Sequence, residues 1–206
     1  MSGRKIAFFD FDGTITTKDT LLEVIKFQKG EPAFYLGFLL HAPWLIAYKL
    51  KLFPNDHVKQ KMLKFFFGGM PEVTFQANCD FFAKSKIPAM VRPGALREIE
   101  DLKVRGFEVV VVSASAENWL RNWTDQLGLQ LIATQLEVKN GLITGYIEGK
   151  NCHGEQKVIC IRQQWDLSEF EQIYCYGDSS GDKPMLALAT RSFYKRSEER
   201  RVGKEC

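Results

Sequence analysis

The chain has 206 residues, 45% of them apolar, with 16 Phe and 4 Trp, enough for one domain with an insertion or for two small ones. A formal net charge of +3 is too small to argue for nucleic acid, and no basic tract is interleaved with aromatics as a single-strand binder would need. Cys79, Cys152, Cys160, Cys175 and Cys206 form no Cys-x-x-Cys pair and read as reduced thiols of a cytoplasmic protein; Met1 to Lys5 leaves no room for a signal peptide before the first strand.

Ile6-Ala7-Phe8-Phe9 reads as a buried strand and runs into Asp10-Phe11-Asp12-Gly13-Thr14. Carboxylates at the carboxyl end of such a strand lie where open α/β sheets place their ligands. Positions two apart on a strand point the same way, so Asp10 and Asp12 would repel each other unless a cation or a shared proton intervened. Gly13 allows a sharp turn and a close approach of backbone amides. The arrangement points to a metal-assisted nucleophile beside an acid/base. On its own, Asp-x-Asp-Gly is also a common turn or part of a calcium loop.

Lys18 to Lys29 has helical spacing, with Leu21, Leu22, Ile25 and Phe27 among its apolar positions. Pro32 suits a first helical turn, and residues 33–48 carry no formal charge. Asn55 to Phe67 and Pro71 to Lys84 read as further helices, separated by Gly68-Gly69. About 70 residues before Pro88 are thus helical, with no strand signal.

The character changes at Arg92-Pro93-Gly94. A helix over Ala95–Arg105 precedes Phe107-Glu108-Val109-Val110-Val111-Val112, a strand of the parallel type buried on both faces. Ser113-Ala114-Ser115 follows, then a helix over Glu117–Leu127 and a strand over Leu129–Ala133. Glu137 to Glu148, with Asn140-Gly141 at its centre, predicts a hairpin. A helix over Gly154–Trp165, a strand at Ile173–Tyr176, the loop Gly177-Asp178-Ser179-Ser180-Gly181-Asp182, a helix over Pro184–Ala189 and a strand at Phe193 complete the pattern. Strands alternating with helices imply an α/β fold with a doubly wound, right-handed parallel sheet.

Asp10-Phe-Asp-Gly-Thr14, Ser113 closing a Val-rich strand, Lys157, and Gly177-Asp178-Ser-Ser-Gly-Asp182 resemble, in order, the four motifs of the haloacid dehalogenase superfamily. The helical insert after the first motif is similar to the small cap of its phosphoserine-phosphatase-like branch. The resemblance implies a Rossmann-like core over 1–14 and 88–195 with a helical cap over 15–87. It implies Asp10 as nucleophile, Asp12 as acid and base, and Mg²⁺ as cofactor, held among Asp10, the Asp12 carbonyl, Asp178 and Asp182. Hard oxygen donors suit that ion. Ser113, Ala114, Gly13 and Thr14 would bind phosphate oxygens or shape the loop around them, and Lys157 would pair with the phosphate.

Blander readings stand beside these. Asp178 and Asp182 could cap the next helix, Ser113 could be an N-cap, and a lone Lys157 could be solvated. His41, His57 and His153 show no metal-ligand spacing. A dehalogenase is disfavoured, since halide displacement needs no metal and no second acidic loop.

The expected partner is a small phosphorylated substrate, without nucleic acid. No Glu and Arg pair stands out to hold an amino-acid head group, and Glu23 and Lys26 are the only candidates. The apolar stretch within 34–52 falls short of the roughly 18–20 residues that span a bilayer. It reads either as a buried segment or as a surface dipping into lipid head groups, with Lys49, Lys51, Lys59 and Lys61 meeting anionic lipid. The second reading would suit a lipid phosphate monoester, as in relatives that resemble phosphatidylglycerophosphate phosphatases. A phosphate-binding module without turnover is the non-enzyme alternative, and intact Asp10 and Asp12 argue against it. Residues 196–206 resemble, residue for residue, the translation of a widely used short-read sequencing adapter, and are expected to be a read-through tail rather than part of the fold.

Overall fold

The computed structural model describes residues 3–49 and 55–195; the adapter-like segment 196–206 lies outside them, as does 50–54 within the stretch considered for membrane contact. Strands β1 (Arg4–Phe9), β2 (Glu108–Ala116), β3 (Gln130–Lys139), β4 (Leu142–Glu148), β5 (Phe170–Gly177) and β6 (Arg191–Tyr194) form one sheet in the order β4-β3-β2-β1-β5-β6. Every neighbouring pair is parallel except β3 and β4. This is the doubly wound α/β architecture expected from the alternation of elements.

The central strands are apolar at consecutive positions, Ile6–Phe9, Val109–Val112 and Ile173–Tyr176, because both faces are dry there. Ala7, Phe9, Val109, Val111, Tyr174 and Tyr176 belong to one core. Ile6, Phe8, Val110, Val112, Ile173 and Cys175 belong to the other. Each large apolar side chain withdrawn from water is worth about 1.5–3 kcal/mol, so the sheet needs a helical layer on both sides. Helices α1 (Thr20–Lys29), α2 (Glu31–Lys49), α3 (Asn55–Phe67), α4 (Glu72–Ser85) and α5 (Ile87–Met90) follow β1, and α6 (Pro93–Val104) leads into β2. α6 and α7 (Glu117–Gln126) cover the first face through Ile99, Leu102, Trp119 and Leu120. α8 (Glu155–Gln164) and α9 (Lys183–Leu186) cover the second through Ile161 and Met185.

Phe9 at the end of β1 pairs with Val111 on one side and Tyr176 on the other. The chain winds from β1 toward β2 and β3, then returns to place β5 on the opposite flank. The crevice at such a reversal is where open sheets hold ligands, and here it gathers the loops leaving β1 and β5.

Several boundaries differ from the sequence expectations. α1 starts at Thr20 rather than Lys18, because the Asp19 carboxylate accepts from the Leu21 and Leu22 amides and caps it there. β2 continues past Val112 to Ala116. β3 is one strand where two pieces were expected: its first half pairs parallel with β2 and its second half antiparallel with β4. Asn140-Gly141 turns the hairpin with both residues at positive φ. α2 runs unbroken through Pro43. The segment 33–48 is not buried all round, since Phe34 is buried while Tyr35, Leu36, Leu39 and Leu40 are 57–72% exposed.

α3 rests directly on β4. Gly145 on β4 has φ +82, and a Cβ there would overlap the Lys64 backbone. Gly145→Ala is therefore expected to cost about 1–3 kcal/mol through strain and overpacking. At about 2–4 °C per kcal/mol for a chain of this size, a circular-dichroism melt would register a clear drop. An unchanged midpoint would refute the close contact.

Candidate active site

Asp10 lies one residue beyond β1, yet its amide still donates to the Tyr176 carbonyl at 2.9 Å, which holds it in register beside β5. The chain then turns, with Gly13 at φ +85, where a Cβ would overlap the Asp178 carboxylate. Gly13 is thus the gap through which the β5 loop reaches the β1 loop.

Three acids converge there. Carboxylate oxygens of Asp10, Asp178 and Asp182 lie within 4.8 Å of one another. The Lys157 ammonium, from the first turns of α8, donates to Asp10 Oδ1 at 2.6 Å and to Asp182 Oδ1 at 2.7 Å. The Thr14 hydroxyl donates to Asp10 Oδ2 at 3.0 Å and lies 3.5 Å from Asp178 Oδ1. Asp182 Oδ2 accepts from the Ser179 amide at 3.0 Å and the Ser179 hydroxyl at 2.7 Å. Capping of a short turn and membership of the acidic cluster are thus both true of Asp182.

Burial pushes Asp10 up to about 7, with Lys157 pulling it back and Asp182 adding to the rise. Burial also works against the Lys157 charge, but Asp10 and Asp182 outweigh it and hold the ammonium above its ordinary value. For Asp182, burial is outweighed by Lys157 and Ser179, leaving its carboxyl below the ordinary range. Asp178 is raised by burial and by the charge of Asp182. One ammonium among three acids leaves the cluster short of positive charge. An all-oxygen donor set with that deficit fits a hard divalent cation such as Mg²⁺.

Asp12 lines the same cleft but is anchored on its other side. Its Oδ1 accepts from the Thr20 amide at 2.7 Å and its Oδ2 from the Ser115 hydroxyl at 2.6 Å. Its carboxylate is not part of the three-acid cluster. Burial, with the charge of Asp19 adding to it, raises Asp12 to about 6 against the pull of Ser115 and Thr20.

Ser113 is wholly buried, and its Oγ accepts from the Ser115 amide at 3.0 Å. Ala114 and Ser115 line the cleft. Ser115 was given no role from the sequence, and β2 is irregular between Ser113 and Ala116, which brings the adjacent Ala114 and Ser115 both to the cleft.

Lys59 is the larger surprise. It was expected to face lipid, but α3 turns it inward, where its ammonium donates to the Ala114 carbonyl and, at 2.9 Å, to Asn151 Oδ1. Asn151 also accepts from the Thr134 hydroxyl at 2.9 Å and donates to Asp56 at 2.8 Å. Burial lowers Lys59 to about 8, while Asp12, Asp56 and Asp19 support its charge. Helical spacing could have found it, since Lys59 lies on the stripe of Leu63, Phe66 and Phe67, all buried, whereas Lys61 shares its side with the exposed Phe65. His153 lines the cleft from the loop before α8, and burial with the charge of Lys157 lowers its pKa. Glu23 binds Lys26 at 3.1 Å and Lys18 at 3.5 Å, and is not among the cleft-lining residues.

The haloacid dehalogenase-like hydrolase family model matches residues 7–187. Protein CicA of Caulobacter vibrioides is 32% identical over 191 residues, which are 91% of this chain and 84% of that protein. The phosphoserine phosphatase of Methanocaldococcus jannaschii is 26% identical over 195 residues, covering 90% of this chain and 82% of the relative. A crystal structure of a protein of unknown function from Bordetella pertussis Tohama I superposes with a TM-score of 0.83 at 24% identity, covering 98% of this chain and 94% of that one. The chain belongs to the haloacid dehalogenase-like hydrolase family, on its phosphoserine-phosphatase-like branch. It is an enzyme of the phosphatase/hydrolase class.

The raised Asp10 and Asp12 carboxyls have a consequence for stability. The folded chain retains protons there that the unfolded chain releases, so the stability from the neutral carboxyls is complete below the ordinary carboxyl range. It is lost as pH climbs through about 6 to 7. In EDTA, Asp10→Asn should gain on the parent chain in melting temperature by at least about 3 °C between about pH 5 and about pH 8. An equal difference at both pH values would contradict the burial of an ionisable carboxyl at this position.

Proposed function

We propose that the chain is a Mg²⁺-dependent phosphomonoester phosphatase that acts on a small phosphorylated metabolite through an aspartyl-phosphate at Asp10. The observation that carries this reading is the setting of the Asp10 carboxylate. It is buried at the end of β1, 2.6 Å from the Lys157 ammonium, and grouped with Asp178 and Asp182.

Asp10, Asp178, Asp182 and the Asp12 backbone carbonyl are the groups that would hold Mg²⁺. When bound, the ion supplies positive charge that neutralises the phosphoryl oxygens and lowers Asp10 into its ionised form. Asp10 then attacks phosphorus in line, and the bond between phosphorus and the substrate's alcohol oxygen breaks. Asp12, at about 6 and fastened by Thr20 and Ser115, gives its proton to that oxygen. The alcohol leaves neutral. Asp12, now a carboxylate, takes a proton from water as the water attacks phosphorus, and the Asp10–phosphorus bond breaks. Lys157 offsets the charge of the phosphoryl group throughout, and Asp182 positions Lys157. Backbone amides near Ser113 and Ala114, with Gly13 and Thr14, cradle phosphate oxygens. The protein's work is positioning and charge neutralisation, as phosphoryl transfer requires. Residues 1–14 and 88–195 form the catalytic core in this reading, and 15–87 form the cap that closes over it. The described Cys79, Cys152, Cys160 and Cys175 are free thiols, which supports placing the enzyme in the cytoplasm.

Asp10→Asn should lower 4-nitrophenyl phosphate turnover by at least about 10³-fold with the fold intact, and EDTA should silence the parent enzyme until Mg²⁺ is restored. Turnover by Asp10→Asn would remove Asp10 as nucleophile, and full rates in EDTA would remove the metal. A folded, Mg²⁺-loaded chain that hydrolyses no ester would leave only the phosphate-binding module.

A second reading rests on the exposed side of α2. Tyr35, Leu36, Leu39 and Leu40 of that helix are 57–72% exposed and, at helical spacing, share one side of it. Among the described residues no helix is long and apolar enough to cross a membrane. An exposed apolar face suits a helix lying along a bilayer surface, where the substrate would be a lipid phosphate. Flotation with vesicles containing an anionic phospholipid should carry the intact chain upward, and Leu36→Asp with Leu39→Asp should leave it at the bottom. A parent chain that stays at the bottom excludes this reading.

A further inference from the structure

Asp19, the cap of α1, is one polar side chain on the helical wall of the cleft, and its Oδ1 accepts from the Leu21 and Leu22 amides. Lys59 is another, and its ammonium is spent on the Ala114 carbonyl and Asn151. The rest of that wall is Leu21, Leu22, Ile25, Phe38, Val58 and Met62. These six face the phosphate-handling end across a cleft of about 300 Å³. Leu21, Leu22 and Phe38 keep part of their surface uncovered, while Ile25, Val58 and Met62 are buried behind them.

We infer that the substrate is the phosphomonoester of a small, uncharged and largely apolar alcohol, rather than of an amino acid. This rests on the phosphatase reading above and concerns only the group that leaves. An amino-acid head group brings a carboxylate and an ammonium into the cleft. Each is costly to desolvate without a partner of opposite sign. Among the described residues lining the cleft, the cations are Lys59 and Lys157, with His153 below its ordinary pKa. Lys157 belongs to the acids at the phosphate end, and Lys59 already has two oxygen partners beside Asp56 and Asp12. Glu23, placed to attract an ammonium by its position in α1, is neutralised by Lys18 and Lys26. An uncharged alkyl or aryl group meets no such penalty and removes apolar wall from water, at about 25 cal/mol for each Å² covered. Leu21, Leu22 and Phe38 are the specificity-determining side chains, because they are the partly open ones on α1 and α2.

The test compares kcat/KM for hexyl phosphate, methyl phosphate and O-phospho-L-serine with Mg²⁺ present. Hexyl phosphate should exceed O-phospho-L-serine by at least about ten-fold. In Leu22→Gln, and separately in Phe38→Gln, the hexyl-to-methyl ratio should fall by about ten-fold or more. Both positions are partly exposed, so the variants are expected to fold, and the ratio is independent of any loss of folded enzyme. Hexyl phosphate in solution and dodecyl phosphate in phosphatidylcholine vesicles separate a dissolved ester from one drawn out of a bilayer, and preference for either over O-phospho-L-serine supports the inference. A preference for O-phospho-L-serine, or a hexyl-to-methyl ratio untouched by both variants, overturns it. Failure to hydrolyse any of these esters, or 4-nitrophenyl phosphate, overturns the phosphatase reading itself.

Discussion

The Lys157 ammonium, held between Asp10 and Asp182 in a site almost closed to water, is the constraint on which the active-site architecture depends. Three elements far apart in the chain meet at that one nitrogen: β1 through Asp10, α8 through Lys157, and the turn after β5 through Asp182. Removing one partner of a buried pair costs about 3–5 kcal/mol, because an unpaired charge is left behind. The site therefore helps to hold the sheet's carboxyl ends together. The remaining imbalance, with Asp178 beside two acids that share one cation, is what makes the cluster a receptor for a further positive charge.

A second set of contacts ties the inserted helices to the sheet. Asp56 and Lys59 of α3 meet Asn151, and Lys59 also meets Ala114. Gly145 lets β4 approach the α3 backbone. Phe67, Phe75, Cys79 and Phe82 of α3 and α4 lie in the same apolar core as Val111 and Tyr176 of the sheet. The cleft wall is therefore placed by packing as dense as that of the core. Its position relative to Asp10 and Asp12 follows from side chains that do no chemistry.

Polarity divides the cleft in a way that matters for function. At the sheet end, three acids share one ammonium and the hydroxyls of Thr14 and Ser179. At the helical end, Asp19 is tied into a helix cap and Lys59 into the bridge between α3 and the core, and the rest of the wall is apolar. The relatives named phosphoserine phosphatase share the family. What is recognised at the second end is a separate property of this chain's own helices.

Much of this was legible in the order of residues. Period and composition gave the α/β class, because a parallel strand covered on both faces must be apolar at consecutive positions, as Val109 to Val112 are. The Asp10-to-Thr14 and Gly177-to-Asp182 loops stood out because two acidic loops each follow an apolar strand, whereas the convergence of Asp10, Asp178 and Asp182 needed the fold to be seen. Local signals could not reach the rest. Asp19 shortened α1 by a cap that competes with propensity, and β3 continued through a predicted break because two different neighbours each paired with one half of it. Lys59 shares the helical stripe of Leu63, Phe66 and Phe67, but which oxygens its ammonium meets there, those of Ala114 and Asn151, depends on distant segments. The outward face of α2 is likewise decided by which side of an almost uniformly apolar helix finds a partner. Sequence settles which residues can carry charge or leave water; the approach of distant segments settles which of those charges meet, since electrostatic and packing energies depend on distances the linear order does not contain.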